Sequence, residues 1–153
     1  MLLWRLSDRR FAATFDGGYG LHYDGRWNTV GHAVTYCSTS PSLCVLEKLV
    51  HIEDPALLPA LVMVSYAIPD SLSIADVALE DLPAEWRRNE AWTQQRGDDW
   101  HAGRTAPLLR VPSAIVSVAG SPDLNVVVNH RHPDAAAIRI VNQEDFVFDT
   151  RLM

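Results

Sequence analysis

Residues 60–68, ALVMVSYAI, are almost continuously apolar and rich in β-branched side chains. Such a run suits a strand buried on both faces and predicts one at the centre of a sheet. LLWRL (2–6), HAVTYCS (32–38), RVPSAIVSV (110–118), LNVVVN (124–129), AIRIV (137–141) and DFVFD (145–149) read as further strands, the last four joined by short loops. Helix signals are fewer. Ser40 before Pro41 combines an N-cap with a first-turn proline, so a helix is predicted from Pro41 to about Glu53, stopping before Pro55. Pro83 to about His101 reads as a second helix. Its Trp86, Trp92 and Trp100 fall within one arc at ~100° per residue, suited to anchoring it on a sheet. Strands dominate, and the helices sit between strand groups instead of alternating with them. The expected class is therefore α+β, not a doubly wound parallel sheet.

The chain has 153 residues, enough for a single domain spanning 1–153 with a real core. With 48% hydrophobic and 21% charged residues its composition is that of a globular protein. It has no internal repeat and no apolar run near the roughly 18 residues of a membrane-spanning helix. MLLWRLSDRR is charged too early for a secretory leader. The expectation is a cytoplasmic protein without a membrane partner. A net charge of −6 argues against direct nucleic-acid binding, which needs a basic face. The pairs Arg9–Arg10 and Arg87–Arg88 are too short to make one. Cys37 and Cys44 have no second pair beside them, so they read as buried thiols and not as a zinc cluster or a disulfide framework.

Residues 7–32 are rich in Gly, Asp and Arg and read as a long loop with room for one helical turn. Loops of that length inside a domain tend to be functional. Within it, Arg26 stands beside Trp27 and Asn28, between Gly25 and Gly31. Arg26 is either solvated or a bidentate clamp for a phosphate, with Trp27 lining the pocket. Tyr36, on the following strand, can stack on a flat ring or pack in the core. Glu47 falls mid-helix among Leu43, Cys44 and Val50. A carboxylate there is costly unless it bonds His51, pairs with an arginine, or stands in a cleft wall to stabilise positive charge or bind a sugar hydroxyl. Ser113 follows Pro112 without a G-x-S-x-G elbow, so it is no hydrolase nucleophile, though it can hydrogen-bond within a pocket. His130 and His132 would face the same way in a strand. They could form a metal pair with Asp134, an acid–base pair of ribonuclease type, or a structural turn before Pro133. No recognised zinc motif, G-x-G-x-x-G or P-loop occurs.

Several stretches in order resemble the RES-domain family: GRWN (25–28), TYCS (35–38), the helix carrying Glu47, QRGDDW (95–100), LLRVPSAI (108–115), NVVVNHRHPD (125–134) and FVFDTRL (146–152). The resemblance covers nearly the whole chain. The Arg, Glu and Ser for which the family is named map to Arg26, Glu47 and Ser113. It departs at Asp24, where many members have glycine, at Cys44, where a small Ala is common, and at His130, where Pro is usual.

The resemblance implies an ADP-ribosyltransferase-like core, with two small β-sheets enclosing an NAD cleft and flanking helices. It implies a toxin of a bacterial toxin–antitoxin pair that acts on NAD as substrate without a metal. NAD would be hydrolysed, phosphorolysed with inorganic phosphate, or used to transfer ADP-ribose to a protein. The partner would be an Xre-type antitoxin. Arg26, Trp27, Asn28, Tyr36 and Ser38 would contact NAD. Arg26, Tyr36, Glu47 and Ser113 would be catalytic, with Arg26 on phosphate, Tyr36 on nicotinamide, Glu47 on the ribose, and Ser113 orienting Glu47 or the ribose, while Trp27 shapes the pocket or touches a ring. Two other readings stand beside this one: a ribonuclease-type toxin using His130 and His132, and a non-catalytic module that binds NAD or a partner.

Overall fold

The computed structural model describes residues 1–153. Its elements in chain order are β1 (Leu2–Asp8), α1 (Gly18–His22), β2 (Val34–Ser38), α2 (Pro41–Leu49), β3 (Leu61–Ala67), β4 (Ile74–Asp76), α3 (Glu90–Gly103), β5 (Leu108–Pro112), β6 (Leu124–Asn129) and β7 (Arg139–Phe146). The class is mixed α+β, as the strand-rich pattern predicts. The seven strands connect in the order β4-β5-β6-β2-β1-β3-β7. Only β4 and β5 run parallel.

The join between β2 and β1 decides the shape. β1 pairs with β3 from Leu2 opposite Ala67 to Asp8 opposite Leu61. β2 pairs with β6 along its whole length. Between β1 and β2 the register holds one pair, Trp4 opposite Ser38. The two small sheets implied by the resemblance are thus two halves, β4-β5-β6-β2 and β1-β3-β7, held together at that pair. A cleft opens where they part.

Alternation along the strands feeds separate parts of the core. Val126 and Val128 of β6 join Leu3, Val64 and Tyr66 in one apolar cluster. Val127 faces the other way, among Trp27, Trp86, Trp100 and Leu109. A third cluster places Leu6 and Leu61 against Cys44 of α2 and Phe148. Both faces of β6 are therefore buried, and its valine run follows from that. The tryptophan arc does anchor α3 on the sheet, although Trp86 precedes the helix. No helix is long and apolar enough to cross a membrane.

Several boundaries differ from those predicted, each for a local reason. The 60–68 strand is next to the edge, not central; its apolar run reflects two buried faces, with Val62, Val64 and Tyr66 in one cluster and Leu61 in another. The second helix starts at Glu90, not Pro83. Glu85 takes φ +61°, which breaks the helix, and the Asn89 side chain accepts from the Trp92 amide to begin a new one. The first helix ends at Leu49, short of Glu53. RVPSAIVSV leaves the sheet at Pro112, because the Ser113 hydroxyl accepts from the amides of Ile115 and Val116 and turns the chain. The two C-terminal strands are one, β7, running as the edge beside β3. The three-residue β4 carries no apolar pattern strong enough to predict.

Leu108, fully buried in the largest cluster, tests the core. Leu108→Ala should destabilise the protein by about 2–5 kcal/mol in denaturant unfolding, with the fold retained.

Candidate active site

The cleft between β1 and β2 has a volume of about 870 Å³, within the roughly 300–1,000 Å³ usual for ligand sites. Its walls come from β1, β2, α2 and the loop preceding β2, and include Arg26, Tyr36, Ser38, Glu47 and Asn125.

Glu47 sits half-buried on α2, whose start is fixed by Pro41 and by the Ser40 hydroxyl accepting from the Leu43 amide. Neither His51 nor an arginine pairs with it. Instead, one carboxylate oxygen, Oε1, accepts from the Ser113 hydroxyl at 3.0 Å and from Asn125 Nδ2 at 2.6 Å. Oε2 has no hydrogen-bond partner within the protein. The amide of Asn125 is itself held, since its Oδ1 accepts from the Ser38 hydroxyl at 2.8 Å. A relay Ser38–Asn125–Glu47 therefore fixes the carboxylate from β2 and β6, and Ser113 fixes it from the end of β5.

Ser113 is fully buried. Its hydroxyl gives its one proton to Glu47 and accepts from two backbone amides, which exhausts its capacity. It positions Glu47 and has nothing left for a ligand. Asn125 was missed in the sequence. It lies 78 residues from Glu47, and an Asn near a strand start carries no signal of such a bond.

The Arg26 loop is tied just as closely. Gly25 and Asn28 bridge each other through their backbones, leaving Arg26 and Trp27 at the corner of a tight turn. A Cβ on Gly25 would lie within 2.5 Å of both the Asn28 side-chain oxygen and the Tyr36 hydroxyl, so only glycine fits. The Tyr36 hydroxyl accepts from the Trp27 amide at 2.9 Å and donates to Asn28 Oδ1 at 2.6 Å. Burial pushes that hydroxyl well above the ordinary tyrosine value, so it stays protonated.

The Arg26 guanidinium lies 5.8 Å from the centre of the Trp86 ring and donates to the Arg87 carbonyl at 3.3 Å. It pairs with no carboxylate, so its charge remains available to an anion. Arg5, also in the cleft wall, likewise lacks a carboxylate partner and donates to the carbonyls of Phe11, Ala12 and Thr14.

The structure divides the remaining expected site residues. The Tyr36 ring lines the cleft, with Tyr19 edge-on to it at 6.1 Å. Ser38 borders the cleft but spends its proton on Asn125. Trp27, 2% exposed, packs into the core and shapes the wall from behind. Asn28, 1% exposed, uses its amide protons on the carbonyls of Tyr23 and Thr29 and pins the loop. Trp27 borders the cleft with almost no exposed surface, and Asn28 does not border it. Burial raises the Cys44 thiol to about 11 and the Cys37 thiol to about 12, so neither is a nucleophile at neutral pH.

The two histidines do not act as a pair. Residues after Asn129 form a turn, not a strand, so the same-face expectation fails. His130 points inward, with Nε2 2.8 Å from the Thr35 hydroxyl and its ring edge-on to Phe15. His132 accepts from the Asp134 amide and caps the short 3-10 helix Pro133–Ala137. No group of three His, Cys, Asp or Glu side chains converges as a metal site.

The RES domain family model matches residues 2–149. A protein named Toxin Res from Yersinia enterocolitica is 36% identical over 156 residues, covering 99% of each chain. Another Toxin Res, from Pseudomonas putida, is 37% identical, again covering 99% of each. A Prs ADP-ribosylating toxin from a Sphingobium species is 32% identical, covering 98% of this chain and 95% of that one. Among solved structures, the M. tuberculosis MbcT-MbcA toxin-antitoxin complex contains a chain of similar fold. The TM-score is 0.67 at 15% identity, covering 95% of this chain and 83% of that chain.

Two measurements check this geometry. Tyr36→Phe leaves the Trp27 amide and the Asn28 oxygen without their partner, which should lower stability by about 1–3 kcal/mol in thermal melts. Burial holds His130 down at about 4, against 6.5 for a free histidine. The unfolded chain therefore binds the extra proton first as pH falls. The stability that the neutral imidazole contributes is complete above pH 6.5 and is lost between 6.5 and about 4. In urea unfolding, His130→Gln should flatten the decline in stability over that window.

Proposed function

The chain belongs to the RES-domain family, and from that premise we propose that it is the toxin of a bacterial toxin–antitoxin pair that cleaves the nicotinamide–ribose bond of NAD. One observation carries this reading. Glu47 is held through one oxygen by neutral donors, while its other oxygen stays free in the same cleft as an arginine that no carboxylate neutralises. The cleft is large enough for a dinucleotide, and its two fixed charges match one. Arg26 suits the pyrophosphate, and Glu47 suits the ribose that becomes positive.

In the proposed reaction the C1′–N bond breaks and its electron pair goes to the pyridinium nitrogen. Nicotinamide leaves as a neutral molecule without needing a proton. The sugar becomes an oxocarbenium ion, which the Glu47 carboxylate stabilises electrostatically. The Tyr36 ring stacks on the nicotinamide and Arg26 holds the adjacent phosphate, so positioning supplies much of the remaining acceleration. Ser113 and Asn125 act through Glu47. The acceptor then adds at C1′ and releases its proton. Water, inorganic phosphate and a protein side chain are the three acceptor classes, and the similarity to a toxin named for ADP-ribosylation supports keeping the last among them. The protein would act in the cytoplasm, without a metal, until an antitoxin of Xre type covers it. The similarity in fold to the toxin of a toxin–antitoxin complex supports that partner class.

The test is NAD consumption by the purified chain, with products identified by mass spectrometry in buffers with and without phosphate. Free nicotinamide is expected, with ADP-ribose or its 1″-phosphate naming the acceptor. Glu47→Gln should keep the fold and lower turnover by about 10²–10³-fold; full turnover in that variant would sink the assignment. Arg26→Ala should weaken NAD binding in calorimetry, and unchanged affinity would remove the clamp.

A further inference from the structure

Beside its ties to Tyr36 and Asn28, the Arg26 loop is gripped by one further stretch of chain, the turn at Trp86–Arg88 and the helix α3 that follows it. The guanidinium rests against Trp86 and the Arg87 carbonyl. The backbone of its loop is held by three residues on one face of α3, spaced i, i+3 and i+4. Gln94 Nε2 donates to the Gly25 carbonyl at 3.0 Å. Gly97 packs so closely beneath Trp27 that a Cβ would overlap the Trp27 carbonyl. Asp98 takes both donors of Thr29, the amide at 3.0 Å on Oδ1 and the hydroxyl at 2.6 Å on Oδ2. His32 Nδ1 stands 3.3 Å from the same Oδ1 and 2.8 Å from the Thr29 carbonyl, closing the cluster.

We propose that Asp98 is a positioning residue for NAD affinity, acting through Thr29 on the Arg26 loop that the Gln94–Gly97–Asp98 face of α3 cradles. Asp98 does not line the cleft. Its reach is mechanical. Thr29 directly follows the tight turn that carries Arg26, so releasing it from Asp98 leaves that arm of the loop to the remaining ties from Asn28, Tyr36 and Asp24. Displacing Arg26 weakens a charge-assisted hydrogen bond to phosphate, which is the stronger kind, and so acts on affinity. The carboxylate is charged and bidentate on one residue, which makes it the strongest of the three ties. The neighbouring Asp99 provides an internal contrast: it is exposed and bonds only Gln95 on its own helix.

This inference rests on the NAD reading above, so the experiment separates the two. Thr29→Val, Thr29→Ser, Asp98→Ala and Asp99→Ala are made in the full chain. NAD cleavage kinetics, NAD calorimetry and amide hydrogen exchange over residues 24–31 are measured for each. Thr29→Val and Asp98→Ala should raise KM and Kd for NAD by about tenfold or more, with kcat changed far less and exchange faster only in that segment. Thr29→Ser keeps the hydroxyl and should restore wild-type affinity; Asp99→Ala should behave as wild type. Unchanged affinity in Thr29→Val, or exchange that rises uniformly through the chain, would overturn the proposal. If Asp98→Ala does not fold, the Thr29 pair decides. If the wild-type chain neither binds nor cleaves NAD, the function proposed above fails and the affinity clause falls with it. Loop exchange then judges the cradle by itself.

Discussion

Two adjacent strands that share one register pair are the constraint on which this structure depends. Had β1 and β2 paired along their length, the seven strands would form an unbroken sheet with no room between Arg26 and Glu47. Contact only at Trp4 and Ser38 lets the halves part while keeping them in one body. Ser38 serves twice in this arrangement. Its backbone marks the junction, and its hydroxyl starts the relay that fixes Glu47 through Asn125. The hinge of the sheet and the orientation of the carboxylate are thus one feature.

The cleft also accounts for how a chain with net charge −6 would hold the anion proposed above. Arg26 and Arg5 carry positive charge into a partly enclosed space, and neither is paired with a carboxylate. Carbonyl dipoles hold Arg5, while a ring face and one carbonyl hold Arg26. Such partners fix a guanidinium without cancelling its charge. Low-dielectric walls strengthen the field of a charge held this way, and overall acidity matters little at that range.

What was legible in the sequence follows a physical division. Glu47 stood out because a carboxylate on an apolar helix is locally expensive, and Gly25–Arg26 stood out because glycines mark backbone that must approach something closely. Both signals lie within a few residues of the group concerned. β6 was legible for the same reason, its valines recording two buried faces. Asn125 and Asp98 were not legible as positioning residues, because each acts on a partner 69 or more positions away and polar residues look alike until the fold joins them. The boundaries of β5 and β7 were misread where a side chain overrode strand propensity: the Ser113 hydroxyl ended one strand early, and pairing with β3 carried the other through polar residues 142–145. Residue roles followed the same line. Trp27 and Asn28 share a motif with Arg26, yet the geometry of the Gly25–Asn28 turn sends them into the core.

The choice of partners for Glu47 bears on mechanism more than their number does. A half-buried carboxylate can be stabilised by an arginine or by neutral donors. An arginine would orient it equally well, but would neutralise the charge that the oxocarbenium ion of the proposed reaction needs. A hydroxyl and an amide leave the full negative charge in place and occupy one oxygen only. The side chain cannot turn without breaking both bonds, so Oε2 is aimed before any ligand arrives. Preorganised charge of this kind is the form of stabilisation that costs no reorganisation at the moment of reaction. Ser113 is best understood in those terms. Its hydroxyl is saturated and cannot serve a ligand, and in the proposed reaction it matters through the carboxylate it holds.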